Sequence, residues 1–434
     1  MIRILHIADT HIGYSAYRKL NEVTGLNQRE MDTYDAFKQF VDYAVAASTN
    51  PGKLKVDLIV HAGDLFDSVR PSNRAISFVI GQLLRLSEAG IPFIVIEGNH
   101  ERPRLKETGS VFSLLEHIPN VQVVYGDSYK ILEFQTFEKS LIKNAAPQTF
   151  EKSLIRIHAI PHSDDIENEK KRMLLAANSN LRETELNETD NGSDNNNGFR
   201  FNIALIHASV LSSGSTGGGD AGSGPAIFLM EEFNEQIVGI DDMINFDYIA
   251  LGHYHKYTRV REDAYYAGST ERFSFDEVND DKCFLEVILS EEGKKLEVIV
   301  HRLRTREMVD LKSISCSSLA GLNEIRSAIM HRIRECNPDD KVIRLKVQDI
   351  PLQVYHSLDF DELKRLTRSS VHCDIKYDFL RDNELPTAEQ PTFRSLRTEF
   401  EHFIEKYAIA DGNLNLNKER VKELGLQYMQ RDTE

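Results

Sequence analysis

Short runs rich in Ile and Val stand out from everything between them along the first 250 residues: Ile2 to Ala8, Val56 to Ala62, Pro92 to Glu97, Phe201 to Ile206 and Phe246 to Leu251. Nearly unbroken apolar runs of this length predict strands covered on both faces. Between the first two, Met31, Tyr34, Phe37, Val41 and Ala44 recur at helical spacing and predict a helix over 31–47. Between the second and third, Ile76, Val79, Ile80, Leu83 and Leu84 mark one side of a helix that Ser72 would cap and Gly90 would end. Strand, helix, strand, helix, strand is the grammar of an α/β layered domain.

Three stretches break that grammar. The octapeptide Gln-Thr-Phe-Glu-Lys-Ser-Leu-Ile occurs at 135–142 and again at 148–155, a tandem duplication that would lengthen a hairpin or surface loop. Residues 178–198, dominated by Asn, Glu, Asp and Ser, have almost nothing to bury and are expected to be a disordered insertion. Residues 212–224 are rich in Gly and Ser; Gly217, Gly219 and Gly222 formally fit G-x-G-x-x-G, but low-complexity glycine makes such matches freely, so a loop is expected.

Beyond residue 305 the rhythm changes to a helix around 322–334, a strand at 341–347, a helix near 360–368 and a strand near 371–377, enough for a compact α/β subdomain. Pro386 and Pro391 then lead into two helical patterns. The first carries Phe393, Leu396, Phe400, Phe403, Ile404 and Tyr407, and the second Val421, Leu424, Tyr428 and Met429. The expected layout is therefore a sheet domain over 1–305, a smaller α/β domain over 306–385 and a helical tail over 386–434.

Composition narrows the class. At 434 residues, with 41% hydrophobic and 28% charged positions, the chain has globular proportions and excludes a single small module or a mainly disordered chain. No apolar run reaches the ~18 residues of a membrane helix, and the amino terminus reads as a strand, so no membrane association is expected and the cytoplasm is the expected compartment. Four cysteines, at 283, 316, 336 and 373 without any C-x-x-C, point to reduced thiols. Of the net charge of −16, −15 lies in residues 1–300; residues 301–385 are close to neutral. An acidic first domain suits divalent cations, while a polyanion would be held through local basic positions such as Arg302, Arg304 and Arg306.

The chemistry sits at the strand ends. The five apolar runs close on Asp9-Thr10-His11, Gly63-Asp64, Gly98-Asn99-His100, His207 and Gly252-His253-Tyr254-His255. Open α/β sheets bind ligands at the carboxyl ends of their strands, so these residues should meet around one crevice. One histidine near a strand end is usually a satisfied polar residue, and His6 and His61 are read that way. Five endings together are a different matter: oxygen and imidazole donors without thiolate suit Mn²⁺, Fe²⁺ or Zn²⁺, and two carboxylates suffice for two ions sharing one of them.

In that order, D-x-H, G-D, G-N-H, H and G-H-x-H, the sequence resembles the calcineurin-like metallophosphoesterases. More narrowly it is similar to the nuclease subunits of DNA double-strand-break repair complexes, the SbcD-type branch. That likeness rests on Ile7-Ala-Asp-Thr-His-Ile-Gly13, His61-Ala-Gly-Asp-Leu-Phe-Asp67 with Arg70-Pro71, Glu97-Gly-Asn-His-Glu101 and Tyr266-Ala-Gly-Ser-Thr-Glu-Arg272. It covers residues 1–305.

The resemblance implies one ion on Asp9, His11, Asp64 and His255 and a second on Asp64, Asn99, His207 and His253, with Asp64 bridging. It implies manganese, two ions per chain, and His100 as a catalytic residue that stabilises the transition state or protonates the leaving group. Many relatives carry a second histidine after G-D-L-F; here Asp67 stands there, and an ionised carboxylate cannot donate a proton. The implied function is an exonuclease and endonuclease on DNA ends in double-strand-break repair, homodimeric and nucleoid-associated, with 306–385 as a DNA-binding cap and 386–434 docking an SMC-like coiled-coil ATPase. The alternatives are a general metallophosphoesterase on nucleotides or phosphoproteins, because a metal core does not choose a substrate, or a scaffold that tethers DNA to an ATPase.

Overall fold

A computed structural model describes residues 1–49, 55–103, 109–126, 129–137, 152–187, 201–212, 226–228, 236–290, 295–319 and 321–380, together with Arg420, Lys422 and Glu423. Met1–Asp378 forms one compact unit and Phe379–Glu434 a second. Apart from the three helical positions at 420, 422 and 423, the tail expected over 386–434, with its aromatic stripe, lies outside the described residues.

The chain begins β1 (Ile2–Ile7), α1 (Gln28–Thr49), β2 (Leu58–His61), α2 (Asn73–Glu88), β3 (Phe93–Ile96) and β4 (Val121–Val124). It continues β5 (Lys130–Phe137), β6 (Lys152–Ile160), α3 (Ile166–Asn187), β7 (Phe201–His207), β8 (Ser209–Ser212), β9 (Ala226–Phe228) and β10 (Ile237–Gly239). Next come β11 (Tyr248–Gly252), β12 (Thr258–Arg259), β13 (Ala264–Tyr266), β14 (Cys283–Ser290) and β15 (Lys295–Arg302). The remainder is β16 (Met308–Ser315), α4 (Leu322–Glu335), β17 (Val342–Ile350), α5 (Leu352–His356), α6 (Phe360–Leu366) and β18 (His372–Phe379).

Two six-stranded sheets form the heart of the molecule, ordered β15-β14-β1-β2-β3-β4 and β12-β13-β11-β7-β6-β5. They face each other across a core that includes Ile2, Ile4, Val60 and Ile94 from the first and Ile157, Ile203, Leu205 and Tyr248 from the second. Side chains alternate along a strand, so Leu5 and Ile7 point the other way, onto Phe37, Phe40 and Val41 of α1 and Val79 and Leu83 of α2. On the far side of the second sheet, Ala204, Ile206 and Ile249 meet Ile166 and Met173 of α3. Helix, sheet, sheet, helix is the layering that double-sided apolar strands demand.

Within α2, Ser72 caps the helix by accepting from the Ala75 N–H, at 3.2 Å. The buried stripe is Ala75, Val79, Leu83 and Leu86, whereas Leu84 is exposed; the true stripe is rotated from the one predicted, since it follows the small residue Ala75 onto the sheet. One expectation is corrected outright. Residues 178–187 are not part of a disordered insertion but finish α3: Leu, Arg and Glu are good helix formers, so a helix already seated through Ile166, Met173 and Ala177 propagates past the point where apolar residues run out. Residues 188–198 lie outside the described residues, as do 213–224.

The duplicated octapeptide spans a hairpin. Its first copy opens in β5 and its second closes in β6, strands paired antiparallel with Gln135 opposite Leu154. Beyond β15, the three-stranded sheet β16-β17-β18 is covered by α4 and α6 through Ile325, Ile329, Ile333 and Leu363. Arg306, in the connection to this small domain, holds Asp32 of α1 through two nitrogens, at 2.6 and 3.0 Å, and the Asp340 carbonyl at 2.8 Å. Arg29, itself buried, holds Asp32 and donates to the Arg272 carbonyl, while Arg272 donates to Thr305 and to the Arg306 carbonyl. Tyr17 stacks on His372 of β18 at 4.0 Å.

Candidate metal centre

The parallel strands β1, β2 and β3 of one sheet and β7 and β11 of the other deliver their carboxyl ends to one place. There the backbone is forced into unusual shapes. Asp9, His11, Asp64 and His253 all take positive φ, at 50°, 43°, 53° and 95°, a region that costs a side-chain-bearing residue energy unless its surroundings fix it. Here main-chain bonds fix it: the Asp9 N–H donates to the Gly63 carbonyl at 3.0 Å, and the Thr10 and His11 N–H groups to the Asp64 carbonyl at 2.9 and 3.0 Å. The His253 N–H donates to the Asp9 carboxylate at 2.9 Å, and the His100 N–H to that of Asp64 at 3.0 Å. A Cβ at Gly98 would collide with Asp64, and one at Gly252 with the Ala62 carbonyl.

All seven donors singled out from the sequence are brought together. Asp9, His11 and His255 form one cluster of donor atoms, Asp9, Asp64 and His207 another, and His11, Asp64 and His100 a third, each spanning no more than 4.8 Å. Asn99 completes the far side: its Oδ1 lies 2.9 Å from His207 Nε2 and 3.2 Å from His253 Nδ1. His11 Nε2 and His255 Nε2 face each other at 3.1 Å. Imidazole nitrogens and carboxylate oxygens that converge this closely, in a pocket where Asp9, Asp64 and His207 are fully buried, fit cations between them.

The electrostatics follow from that crowding. Burial disfavours a charged His207, but Asp64 and Asp9 outweigh it and raise the imidazole to about 9. Burial likewise opposes the charged form of Asp64, yet His207, His11 and His100 hold its carboxyl well below the ordinary range. Glu101 goes the other way: burial, then the neighbouring Asp64 charge, push it well above.

Outer partners aim the imidazoles. The Ala62 carbonyl lies 2.7 Å from His207 Nδ1 and can only accept, which leaves Nε2 free to ligate. Glu277 does the same for His255, 3.2 Å from its Nδ1, and is itself gripped by Lys282 at 2.6 Å. Burial would raise Glu277, but His255 and Lys282 bring it down to about 2. Asp67, where many relatives carry a second histidine, places its carboxylate 3.5 Å from His11 Nδ1, an ion-pair distance without a hydrogen bond. His100 sits on the His11 side, rings edge-on at 4.6 Å, with Nδ1 3.1 Å from the Asp67 carbonyl. His6 and His61 bond inside the core, to the Tyr248 hydroxyl at 2.8 Å and the Thr10 hydroxyl at 3.1 Å.

Several residues escape a sequence reading. Glu101 is buried and accepts from the Phe66 and Gly98 N–H groups at 2.6 and 2.9 Å, clamping the loops of Asp64 and Asn99 together; its signal is its place at the end of Glu97-Gly-Asn-His-Glu101, which does not reveal this role. Glu277 and Lys282 belong to no strand end, and nothing in their spacing marks them. Phe273 wedges against His11 and His255, at 4.7 and 5.5 Å. His162, just past β6, lies 6.2 Å from His207 and 6.5 Å from His253, ring to ring.

Residues 2–257 match the family model described as calcineurin-like phosphoesterase. A protein of Thermoplasma acidophilum named DNA double-strand break repair protein Mre11 is 27% identical over 381 residues, 86% of this chain and 78% of its own length. Proteins of the same name from Sulfurisphaera tokodaii and Methanococcus maripaludis are 37% identical over 174 residues and 28% over 288, and this chain spans 36% and 60% of their respective lengths.

Proposed function

The chain belongs to the calcineurin-like phosphoesterase family, and from that premise we propose that it is a two-metal DNA nuclease that processes double-strand-break ends. The observation that carries the reading is the position of Asp64, which stands in donor clusters on both sides of the crevice, with His11 and His100 and with Asp9 and His207. One ion falls to Asp9, His11, Asp64 and His255; the other falls to Asp64, Asn99, His207 and His253. Two divalent cations there, manganese by our reading, would supply charge neutralisation of a phosphodiester and a nucleophile at neutral pH. The choice of DNA as substrate draws support from the relatives' names.

The protein's own groups then orient the reaction. Glu277 holds the ring of His255 and the Ala62 carbonyl holds that of His207, while the Asp67 carboxylate faces His11 at ion-pair distance. His100 keeps Nδ1 on the Asp67 carbonyl, so Nε2 is the nitrogen that can carry a proton to a leaving oxygen. Residues 306–385 act as the DNA-binding cap, and residues 386–434 dock an SMC-like coiled-coil ATPase in a homodimeric assembly at the nucleoid.

The test compares linear plasmid DNA with a chromogenic phosphodiester, across added metals and with or without an ATPase of that kind. Manganese-dependent cleavage of DNA, stimulated by the ATPase, is the expected result. His100→Ala should retain two ions by calorimetry and lose cleavage. Hydrolysis of the chromogenic ester without cleavage of DNA would replace this reading with a general phosphoesterase.

A further inference from the structure

Three adjacent parallel strands of the second sheet, β11, β7 and β6, run to the same edge, with Gly252 opposite His207 and Ile206 opposite Ile160. The first two deliver His253 and His207. The third ends two residues before His162, which therefore belongs to the same row of strand ends, although no ion is assigned to it.

Its main chain is pinned to the loop that carries Asn99 and His100. The His162 N–H donates to the Glu97 carbonyl at 2.9 Å, and Arg102 donates to the His162 carbonyl at 3.4 Å while pairing with Asp164 at 2.9 Å. The side chain is half-buried beside His207 and His253, with which it shares ring contacts. Its Nδ1 is buried and has no hydrogen-bond partner among the described residues.

A buried ring nitrogen without a partner costs free energy unless something else meets it. The nitrogens of the neighbouring rings that lie on Asn99 are the ones the second ion would use, so His162 is the ring beside them that is left to meet a phosphate. His100 stands beside His11 in the same way at the opposite end of the crevice. Two imidazoles outside the assigned ligand set thus flank the centre, one at each end.

We propose that His162 is a second substrate-contacting histidine, which hydrogen-bonds a non-bridging phosphate oxygen of the bound strand on the His207–His253 side. The inference rests on the phosphodiesterase reading and adds a residue to it. The phosphate oxygen accepts and the imidazole donates, so no bond is made or broken at this ring.

The experiment uses the full chain carrying His162→Ala or His162→Gln. Manganese binding is followed by calorimetry, and affinity for a phosphorothioate oligonucleotide by fluorescence anisotropy. The ¹⁵N shifts of the His162 ring are recorded with and without that oligonucleotide. His162→Ala should bind two ions as the unaltered protein does, bind the oligonucleotide about 10- to 100-fold more weakly, and lose part of that deficit in His162→Gln, which retains a donor. The ring shifts should move on binding.

Loss of one ion in either variant would make His162 a ligand and overturn the proposal. So would undiminished oligonucleotide affinity in both variants, or ring shifts that stay put. If His162→Ala fails to fold, His162→Gln and the ring shifts decide. Should the unaltered protein hydrolyse only the chromogenic phosphodiester, the DNA reading falls. In that case inorganic phosphate replaces the oligonucleotide in the same binding and shift measurements, and its binding decides on His162 separately.

Discussion

The two sheets contribute to the centre in different ways. The first supplies Asp9, His11, Asp64 and Asn99 and fixes them chiefly by backbone: three of the four sit at positive φ, laced by main-chain bonds between the loops after β1 and β2. The second supplies only imidazoles: His207 is aimed through its far nitrogen by the Ala62 carbonyl and His255 by Glu277. His253 is placed by its N–H on Asp9. A carboxylate can accept from several directions, so it needs its chain placed. An imidazole has one useful nitrogen and needs its tautomer and rotation fixed. The oxygen side can therefore be shared between ions, whereas each second-sheet imidazole serves one.

That contrast breaks most decisively at Asp64. Asp64→Ala should abolish binding of both ions and cleavage alike, by about a thousandfold or more in kcat/KM, whereas His207→Ala should lose one ion and keep the other; calorimetric stoichiometry separates the two. Loss of both ions from His207→Ala would end the distinction between shared oxygens and single-duty rings. A smaller effect is expected at Glu277: Glu277→Gln keeps the shape but weakens the grip on His255, and the affinity of one ion alone should fall about 10- to 100-fold. An equal fall at both sites would show that Glu277 supports the fold rather than one ring.

The smallest effect tests the first sheet away from the centre. Glu286 of β14 is paired with Arg3 of β1 at 2.6 Å and bonded by Tyr43 and His301. Burial alone would raise its carboxyl, but these partners bring it down to about 2. A carboxyl whose folded pKa is depressed stabilises the fold above its ordinary range and ceases to do so as pH falls through the folded value. The melting temperature should therefore decline between about pH 5 and pH 2. Glu286→Gln should flatten that decline while leaving metal affinity at neutral pH unchanged.

The first sheet was also the more legible in sequence. Its central strands β1, β2 and β3 are buried on both faces, and β2 and β3 run into G-D and G-N-H, so Asp9, Asp64 and Asn99 could be read from spacing alone. The second sheet hides more. β6 ends on Pro161-His162 without a motif, and Glu277 and Lys282 reach His255 from a turn whose local pattern is unremarkable, because tertiary proximity leaves no trace in periodicity. The hairpin β14–β15 was missed for a related reason: Glu286 interrupts an apolar run and reads as solvent-facing until Arg3 is known to meet it. Helix α3 shows the converse error, since low hydrophobicity measures what a segment can bury, not whether a helix begun elsewhere can continue through it.

Arg306 has a consequence for how the protein comes apart. With Arg29 and Arg272 it ties α1, the 271–272 segment, the connection at 305–306 and Asp340 of the small domain into one set of mutually dependent partners. Freeing the small domain together with Arg306 would strip the buried Asp32 of two of its hydrogen bonds. Local opening at this point therefore has nowhere to stop. Residues 1–378 should denature as a single cooperative unit, and the amide protons of β17 should exchange on the same timescale as those of β1.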